Sequence, residues 1–144
     1  MSNREYPDVP RVGVGAVVIK DDKVLLVKRG IAPSMGLWAI PGGGLELGET
    51  LQEGAEREIL EETGVTIRAK LPPVYTFEFI EKDAAGRIHF HYVIVDLLAD
   101  YISGEALGAD DVDEACWLTA RELNGLNVSQ NTLRLLRAVQ FIRD

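Results

Sequence analysis

Short apolar or alternating runs, bounded by Gly, Pro and Asp, predict most of the elements of this chain. Residues 11–19 and 24–28 flank Asp21-Asp22, a pattern that predicts a β-hairpin. Residues 75–81 and 87–98 flank the turn sequence Asp83-Ala84-Ala85-Gly86, which predicts a second hairpin. The predicted strands are residues 11–19, 24–28, 38–40, 65–69, 75–81, 87–98 and 115–118.

The periodicity becomes helical in two places. Residues 50–63 contain no proline, and Leu51, Ala55 and Ile59 fall on one apolar arc. Thr50 with Glu53 three residues later is a capping-box pattern, and the glycine at position 64 is the usual stop signal. A last helix is predicted after the serine at position 129. Because strands and helices do not alternate as in a doubly wound fold, we predict an α/β class with a mixed sheet between helices.

Length and charge limit the classes of protein that this chain can represent. With 144 residues we expect one domain at 11–144, preceded by a loose, polar, proline-containing N-terminal arm at 1–10. With a formal net charge of −8, the chain lacks the broad basic surface that is typical of a nucleic-acid binder. We find no signal peptide or membrane-spanning run, and the single Cys116 suits a reducing, cytoplasmic location.

Three glutamates of the first predicted helix point to metal chemistry. Glu58, Glu61 and Glu62 are spaced i, i+3 and i+4, so they share one helical face. Glu62 falls inside the apolar arc, where a carboxylate is costly unless it is paired or bound to a cation. Mg²⁺ prefers carboxylate oxygens together with substrate phosphates and water. The helix therefore predicts one side of a metal site that a phosphate ligand completes.

The surrounding stretch resembles the signature box of the Nudix (MutT-type) hydrolases. The matching positions are Gly43, Glu49, Arg57-Glu58, Glu61-Glu62 and Gly64, with Ile59 and Val65 as the aliphatic positions. The resemblance implies the Nudix α/β/α sandwich and hydrolysis of a nucleoside diphosphate linked to another group. It also implies Mg²⁺ as the cofactor, with Mn²⁺ as an alternative, and a small-molecule nucleotide as the partner. A homodimer is left open.

Roles for individual residues follow from that resemblance. We expect Glu58, Glu61 and Glu62 to bind metal, Arg57 to hold their geometry, and Glu49 to bind metal through water or to brace the loop. Glu58 is our choice as general base, with the acidic loop residues Asp110, Asp111, Asp113 and Glu114 as alternatives. The candidate catalytic residues are thus Glu58, Arg57 and Glu114. The candidate substrate-binding residues are Gly43, Gly44, Arg29, His91 and Asp113.

Three interpretations of the substrate and activity stay open. An ADP-ribose enzyme is expected to carry a proline after the box, and residues 76–83 have none. Tyr75 is misplaced for a dinucleoside polyphosphate enzyme. This favours a MutT-like nucleoside triphosphate pyrophosphohydrolase over an ADP-ribose pyrophosphatase. A non-catalytic nucleotide-sensing module is the alternative from another class.

Overall fold

The computed structural model describes residues 4–107 and 112–143 of the chain. Seven strands form one mixed sheet with the order β3-β2-β1-β6-β5, to which β4 adds on β1 and β7 on β2. The central pair β1–β6 is parallel, and the other pairs are antiparallel. In chain order the elements are β1 (Arg11–Lys20), β2 (Lys23–Arg29), β3 (Trp38–Ala39), β4 (Gly42–Gly44), α1 (Leu51–Thr63), β5 (Thr66–Lys82), β6 (Ile88–Ser103), β7 (Val112–Thr119), a 3₁₀ turn (Glu122–Gly125) and α2 (Gln130–Ala138).

The two helices cover different apolar clusters of the sheet, which confirms the predicted sheet between helices. Val14 of β1 packs with Ala55 and Ile59 of α1. Val17 of the same strand packs with Leu135 of α2 instead. Because successive strand residues point to opposite faces, β1 contributes side chains to both apolar clusters. Within the described residues, no helix has the length and apolarity needed to cross a membrane.

Local sequence signals set the ends of α1 as predicted. The side chain of Thr50 accepts a hydrogen bond from the backbone N–H of Glu53, and the Glu53 side chain accepts one from Thr50 N–H, which completes the capping box. Gly64 ends the helix in the left-handed conformation with φ of 77°. The Ser129 cap on α2 is also present. Both ends of the acidic helix are therefore fixed by residues that are close to it in the sequence.

Three predicted elements differ from the structure. The glycines at 42–44 form a short strand, β4, because they pair with β1 instead of forming a loop. The prolines at 72 and 73 do not divide β5; they lie in the stretch between Lys70 and Tyr75, where its pairing with β6 is interrupted. Residues 112–114 belong to strand β7, paired with β2, and not to an acidic loop.

The described part of the N-terminal arm, residues 4–10, is anchored on the sheet. The backbone N–H of Tyr6 donates to the carbonyl of His89 at 2.8 Å. The two rings stack with their centroids 4.8 Å apart, and the Tyr6 hydroxyl donates to Asp83 at 3.0 Å. The arm that the sequence predicts to be loose thus follows the edge of β6.

Candidate active site

Arg57 of α1 joins the acidic side chains of the site to each other. Its Nε and Nη2 donate to the two carboxylate oxygens of Glu49, at 2.6 and 3.0 Å. Nη1 donates to Glu58 Oε1 at 2.7 Å and to Glu61 Oε2 at 3.3 Å, while Nη2 also donates to the carbonyl of Gly44 at 2.9 Å. The planar guanidinium has its donors in fixed directions, so this set of bonds holds α1, β4 and the preceding loop in one arrangement.

Glu49 braces the loop that leads into α1. Besides its paired contact with Arg57, its Oε1 accepts the backbone N–H of Glu46 at 2.8 Å. The hydrogen bond from Arg57 holds the pKa of Glu49 below its ordinary value. Both carboxylate oxygens therefore have protein partners, which favours the bracing role over metal ligation.

Glu58 and Glu62 reach the strand β4, where side chains are absent. Glu62 is 6% exposed, and its Oε1 accepts the backbone N–H of Gly42 at 3.0 Å. A Cβ added at Gly43 would overlap the carboxylate of Glu58, so glycine is required there for the carboxylate to take its place. Glu61 lies further out, with 45% of its side chain exposed.

Burial raises the pKa of Glu58, although its hydrogen bond with Arg57 acts in the opposite direction. The carboxylate is therefore short of compensating positive charge, and a divalent cation would supply it. Among the described residues, no three acidic or histidine side chains converge closely enough to enclose an ion by themselves. This donor set fits Mg²⁺, which keeps several waters and takes further oxygens from substrate phosphates.

A cleft of about 1170 Å³ includes these carboxylates and is large enough for a nucleotide. The lining is chemically divided between acidic, apolar and basic residues. The acidic part includes Glu49, Glu58, Glu61 and Glu62 beside the glycines of β4. The apolar part includes Phe77, Phe79, Tyr92 and Ile94, and the basic side chains are Arg4, Arg11 and Arg29. An acidic chain repels a polyphosphate, and these arginines place positive charge in the cleft that would offset the repulsion.

The comparison with known proteins agrees with this geometry. A family model described as the NUDIX domain matches residues 9–139, which include β4, α1 and the strands β5 and β6. The chain belongs to the Nudix family. The predicted resemblance is thereby confirmed, and α1 is the Nudix box helix.

Individual Nudix relatives differ in the substrate that their names carry. An ADP-ribose pyrophosphatase from Methanocaldococcus jannaschii is 40% identical over 107 residues, which are 74% of this chain and 60% of that protein. The nucleoside triphosphatase NudI from Enterobacter sp. (strain 638) is 33% identical over 110 residues, 72% of this chain and 75% of that protein. A solved MutT NUDIX hydrolase from Burkholderia pseudomallei superposes with a TM-score of 0.77 at 31% identity, covering 92% of this chain and 99% of that one.

Two of the predicted site residues lie away from the Nudix cleft. Glu114 is exposed on β7, pairs with Lys28 across the strands and approaches its Nζ at 4.0 Å, so it is not part of the cleft lining. His91 does not line the cleft either, because strand alternation places it on the opposite face of β6 from Tyr92. This placement does not support the two predicted roles, which stay predictions.

The remaining predicted residues have mixed outcomes. Gly43, Gly44 and Arg29 line the cleft, and Arg29 Nε donates to the carbonyl of Pro33 at 2.7 Å. Asp113 belongs to β7 by its backbone, and its side chain is outside the described part of the structure. The alternative base candidates at positions 110 and 111 also lie outside the described residues.

Asp96 is a cleft carboxyl group that the sequence analysis missed. It is 2% exposed on β6 and lines the cleft together with Glu58 and Glu62. A sequence signal was present, since it is the single charged residue in the run Val93-Ile94-Val95-Asp96-Leu97-Leu98. Burial raises its pKa to about 7.

Proposed function

We propose that this Nudix chain hydrolyses the pyrophosphate linkage of a nucleoside diphosphate attached to a further group, with Mg²⁺ as cofactor and Mn²⁺ as an alternative. The observation that carries the proposal is the approach of Glu58 and Glu62 to the glycine strand β4 inside a nucleotide-sized cleft. Buried carboxylates are costly unless they are paired or bound to a cation, and here the one guanidinium of Arg57 is shared by several glutamates.

In the proposed mechanism each residue of the site has a distinct task. A divalent cation supplies charge neutralisation at the phosphoryl oxygens when it is bound. Glu58, Glu61 and Glu62 would hold it. Arg57 keeps Glu58 oriented through its 2.7 Å hydrogen bond, and the backbone N–H of Gly42 fixes Glu62.

Glu58 is our proposed general base. Its carboxylate would take a proton from the attacking water. It stands on a helix whose two ends are capped, and a rigid element holds catalytic geometry better than a loop.

A nucleoside triphosphate is the first candidate substrate. Addition of water across one P–O–P bridge then gives a nucleoside monophosphate and pyrophosphate. ADP-ribose is the second candidate, because the archaeal relative at 40% identity is named for it. Its hydrolysis would give AMP and ribose 5-phosphate.

The test is a panel of nucleoside triphosphates and ADP-ribose, incubated with Mg²⁺, with Mn²⁺ or with EDTA, and resolved by chromatography. We expect turnover of at least one substrate with metal and none with EDTA. Glu62→Gln is the matched variant that removes a charge and keeps the size of the side chain. Nucleotide binding without turnover under all conditions would contradict the proposal and favour a sensing module.

The choice of base is tested separately by single-turnover kinetics. Glu58→Gln should abolish turnover while substrate still binds, whereas Glu114→Gln, which alters an exposed carboxylate outside the cleft, is the control. Asp113→Asn tests the rival position on β7. If Asp113→Asn binds substrate normally but turns it over slowly, while Glu58→Gln stays active, the general base is Asp113 at the start of β7 and not Glu58.

Two further expectations stay predictions. The single Cys116 suits a cytoplasmic location, and a homodimer is open to a size-exclusion or light-scattering measurement.

A further inference from the structure

Asp96 is a buried carboxyl group that the proposed chemistry does not use. It lies two residues beyond Ile94 on β6, so the two side chains point to the same face of the sheet. Across the described ranges 4–107 and 112–143, no hydrogen bond or ion pair to its carboxyl is found, and burial is the cause of its raised pKa. Its side chain is 2% exposed and contributes to the lining of the cleft.

The backbone around Asp96 leaves room for this carboxyl. Asp96 lies beside Gly15 of β1, and a Cβ added at Gly15 would stand 2.7 Å from Asp96 Oδ1. Gly15 in turn pairs with Gly42, whose N–H donates to Glu62. One row across three strands therefore connects Asp96 to the metal-binding side of the cleft.

A structural role does not account for an aspartate at this position. A buried carboxylate without a partner destabilises the folded state, and an apolar or amide side chain of the same size would avoid that cost. Nor is Asp96 one of the helix carboxylates, Glu58, Glu61 and Glu62, to which the proposed function assigns the cation. A ligand that donates hydrogen bonds to the carboxyl would compensate its burial.

The neighbouring side chains indicate what kind of group this donor belongs to. Ile94 pairs with Phe77, and Tyr92 pairs with Phe79, and all four line the cleft. Same-face positions on a strand are ~6.6 Å apart, which is comparable to the width of a nucleobase. A flat ring on this apolar surface would present one edge to Asp96.

We propose that Asp96 is a specificity-determining residue, whose carboxyl accepts hydrogen bonds from the amine-bearing edge of the substrate's nucleobase. This inference rests on the proposed function, because it assigns the base-binding part of the same cleft. The ionised carboxylate offers acceptors only, and N–H donors from a bound ligand would stabilise that ionised form, so it favours a base edge with N–H donors over one that lacks them.

The experiment uses nucleotide pairs that differ in a single amino group. Guanosine and inosine triphosphates differ in the 2-amino group, and adenosine and purine riboside triphosphates differ in the 6-amino group. A ribo and 2′-deoxy pair of the preferred base tests the sugar as another source of donors. The wild type is compared with Asp96→Asn and with Asp100→Asn. The control residue Asp100 lies on the same strand, pairs with Lys70 at 3.1 Å and is exposed.

We expect the wild type to prefer the amine-bearing member of at least one pair by ~10-fold or more in kcat/KM, mainly through KM. Asp96→Asn should reduce that ratio to about 1–2 while Asp100→Asn keeps it. Gly15→Ala, which crowds the carboxyl without removing it, should reduce the ratio in the same direction. The melting temperature of each variant shows whether it is folded, and a purely structural role of Asp96 would not change the ratio between paired substrates.

Several results would overturn the inference without touching the proposed function. They are equal use of both members of each pair by the wild type, an unchanged ratio in Asp96→Asn, or a change confined to the 2′-deoxy pair. If the wild type hydrolyses no nucleotide, the proposed function fails. In that case the affinities of the paired nucleoside monophosphates are measured by calorimetry, and the ratio of the two dissociation constants in the wild type and in Asp96→Asn decides the role of Asp96.

Discussion

The buried carboxyl of Asp96 makes a quantitative prediction about stability and pH. Burial raises its pKa from 3.8 to about 7 in the folded protein. The folded state therefore binds this proton more tightly than the unfolded state, and stability falls as pH rises between these two values. At about 1.36 kcal/mol per pKa unit, the roughly two units between pH 5 and pH 7 amount to about 3 kcal/mol.

Asp96→Asn should remove this dependence. Relative to the wild type, the variant should gain about 3 kcal/mol of unfolding free energy between pH 5 and pH 8, with little further change above. For a domain of this size that corresponds to roughly 6–12 °C in melting temperature. The pKa shift of Asp96 is opposite in direction to that of Asp83. The pKa of Asp83 is lowered by hydrogen bonds, and the largest contribution comes from the backbone N–H of Arg87.

The assay is thermal or urea unfolding of the wild type, Asp96→Asn and Asp100→Asn at pH 5 to 8.5, in EDTA so that metal binding does not contribute. Taking the difference between variant and wild type removes the titration of the groups that they share. The exposed pair of Asp100 with Lys70 is expected to contribute less than about 1 kcal/mol. Parallel curves for the wild type and Asp96→Asn would refute the raised pKa and the reasoning built on it.

Four further changes, one of them with a matched control, test the acidic side of the cleft and its helix. Glu62→Gln keeps an acceptor for Gly42 N–H but removes a charge that we propose to bind metal, so steady-state turnover should fall ~100-fold or more with an unchanged or higher melting temperature. Gly43→Ala places a methyl group on the Glu58 carboxylate and should lower kcat ~10-fold or more; Gly44→Ala, whose Cβ would meet nothing within 4 Å, should lose less. Arg57→Lys keeps the charge but not the fork that joins Glu49 to Glu58, so kcat should fall ~10-fold while KM changes little. Thr50→Ala should cost about 1 kcal/mol in urea unfolding with kinetics unaffected, and an equal loss of turnover would contradict its purely capping role.

The sequence alone was sufficient for features that depend on residues close in the chain. The Thr50 cap, the Gly64 stop and the turn from Asp83 to Gly86 each depend on contacts within a few residues. The acidic face of α1 follows from helical geometry in the same way. These elements were predicted with almost the bounds that the structure has.

Features that depend on pairing between distant strands were not predictable in this way. Asp96 lines the cleft because β6 is parallel to β1 and sets it beside Gly15, a contact that no local pattern encodes. Likewise, β4 becomes a strand through its pairing with β1, and β7 places Glu114 beside Lys28 through its pairing with β2. In each case the partner strand decides which face a side chain occupies.

The glycines of β1 and β4 divide the cleft into two sides that respond differently to change. At Gly15, Gly42 and Gly43 the chain has no volume to spare, and even a methyl group would meet a backbone atom or a carboxylate. The opposite side is built from ordinary side chains such as Phe77 and Tyr92, which can be exchanged without moving the glutamates of α1. Directed evolution of this enzyme toward a new nucleotide should therefore collect its useful mutations on β5 and β6, and libraries aimed at the glycines should yield mostly inactive clones.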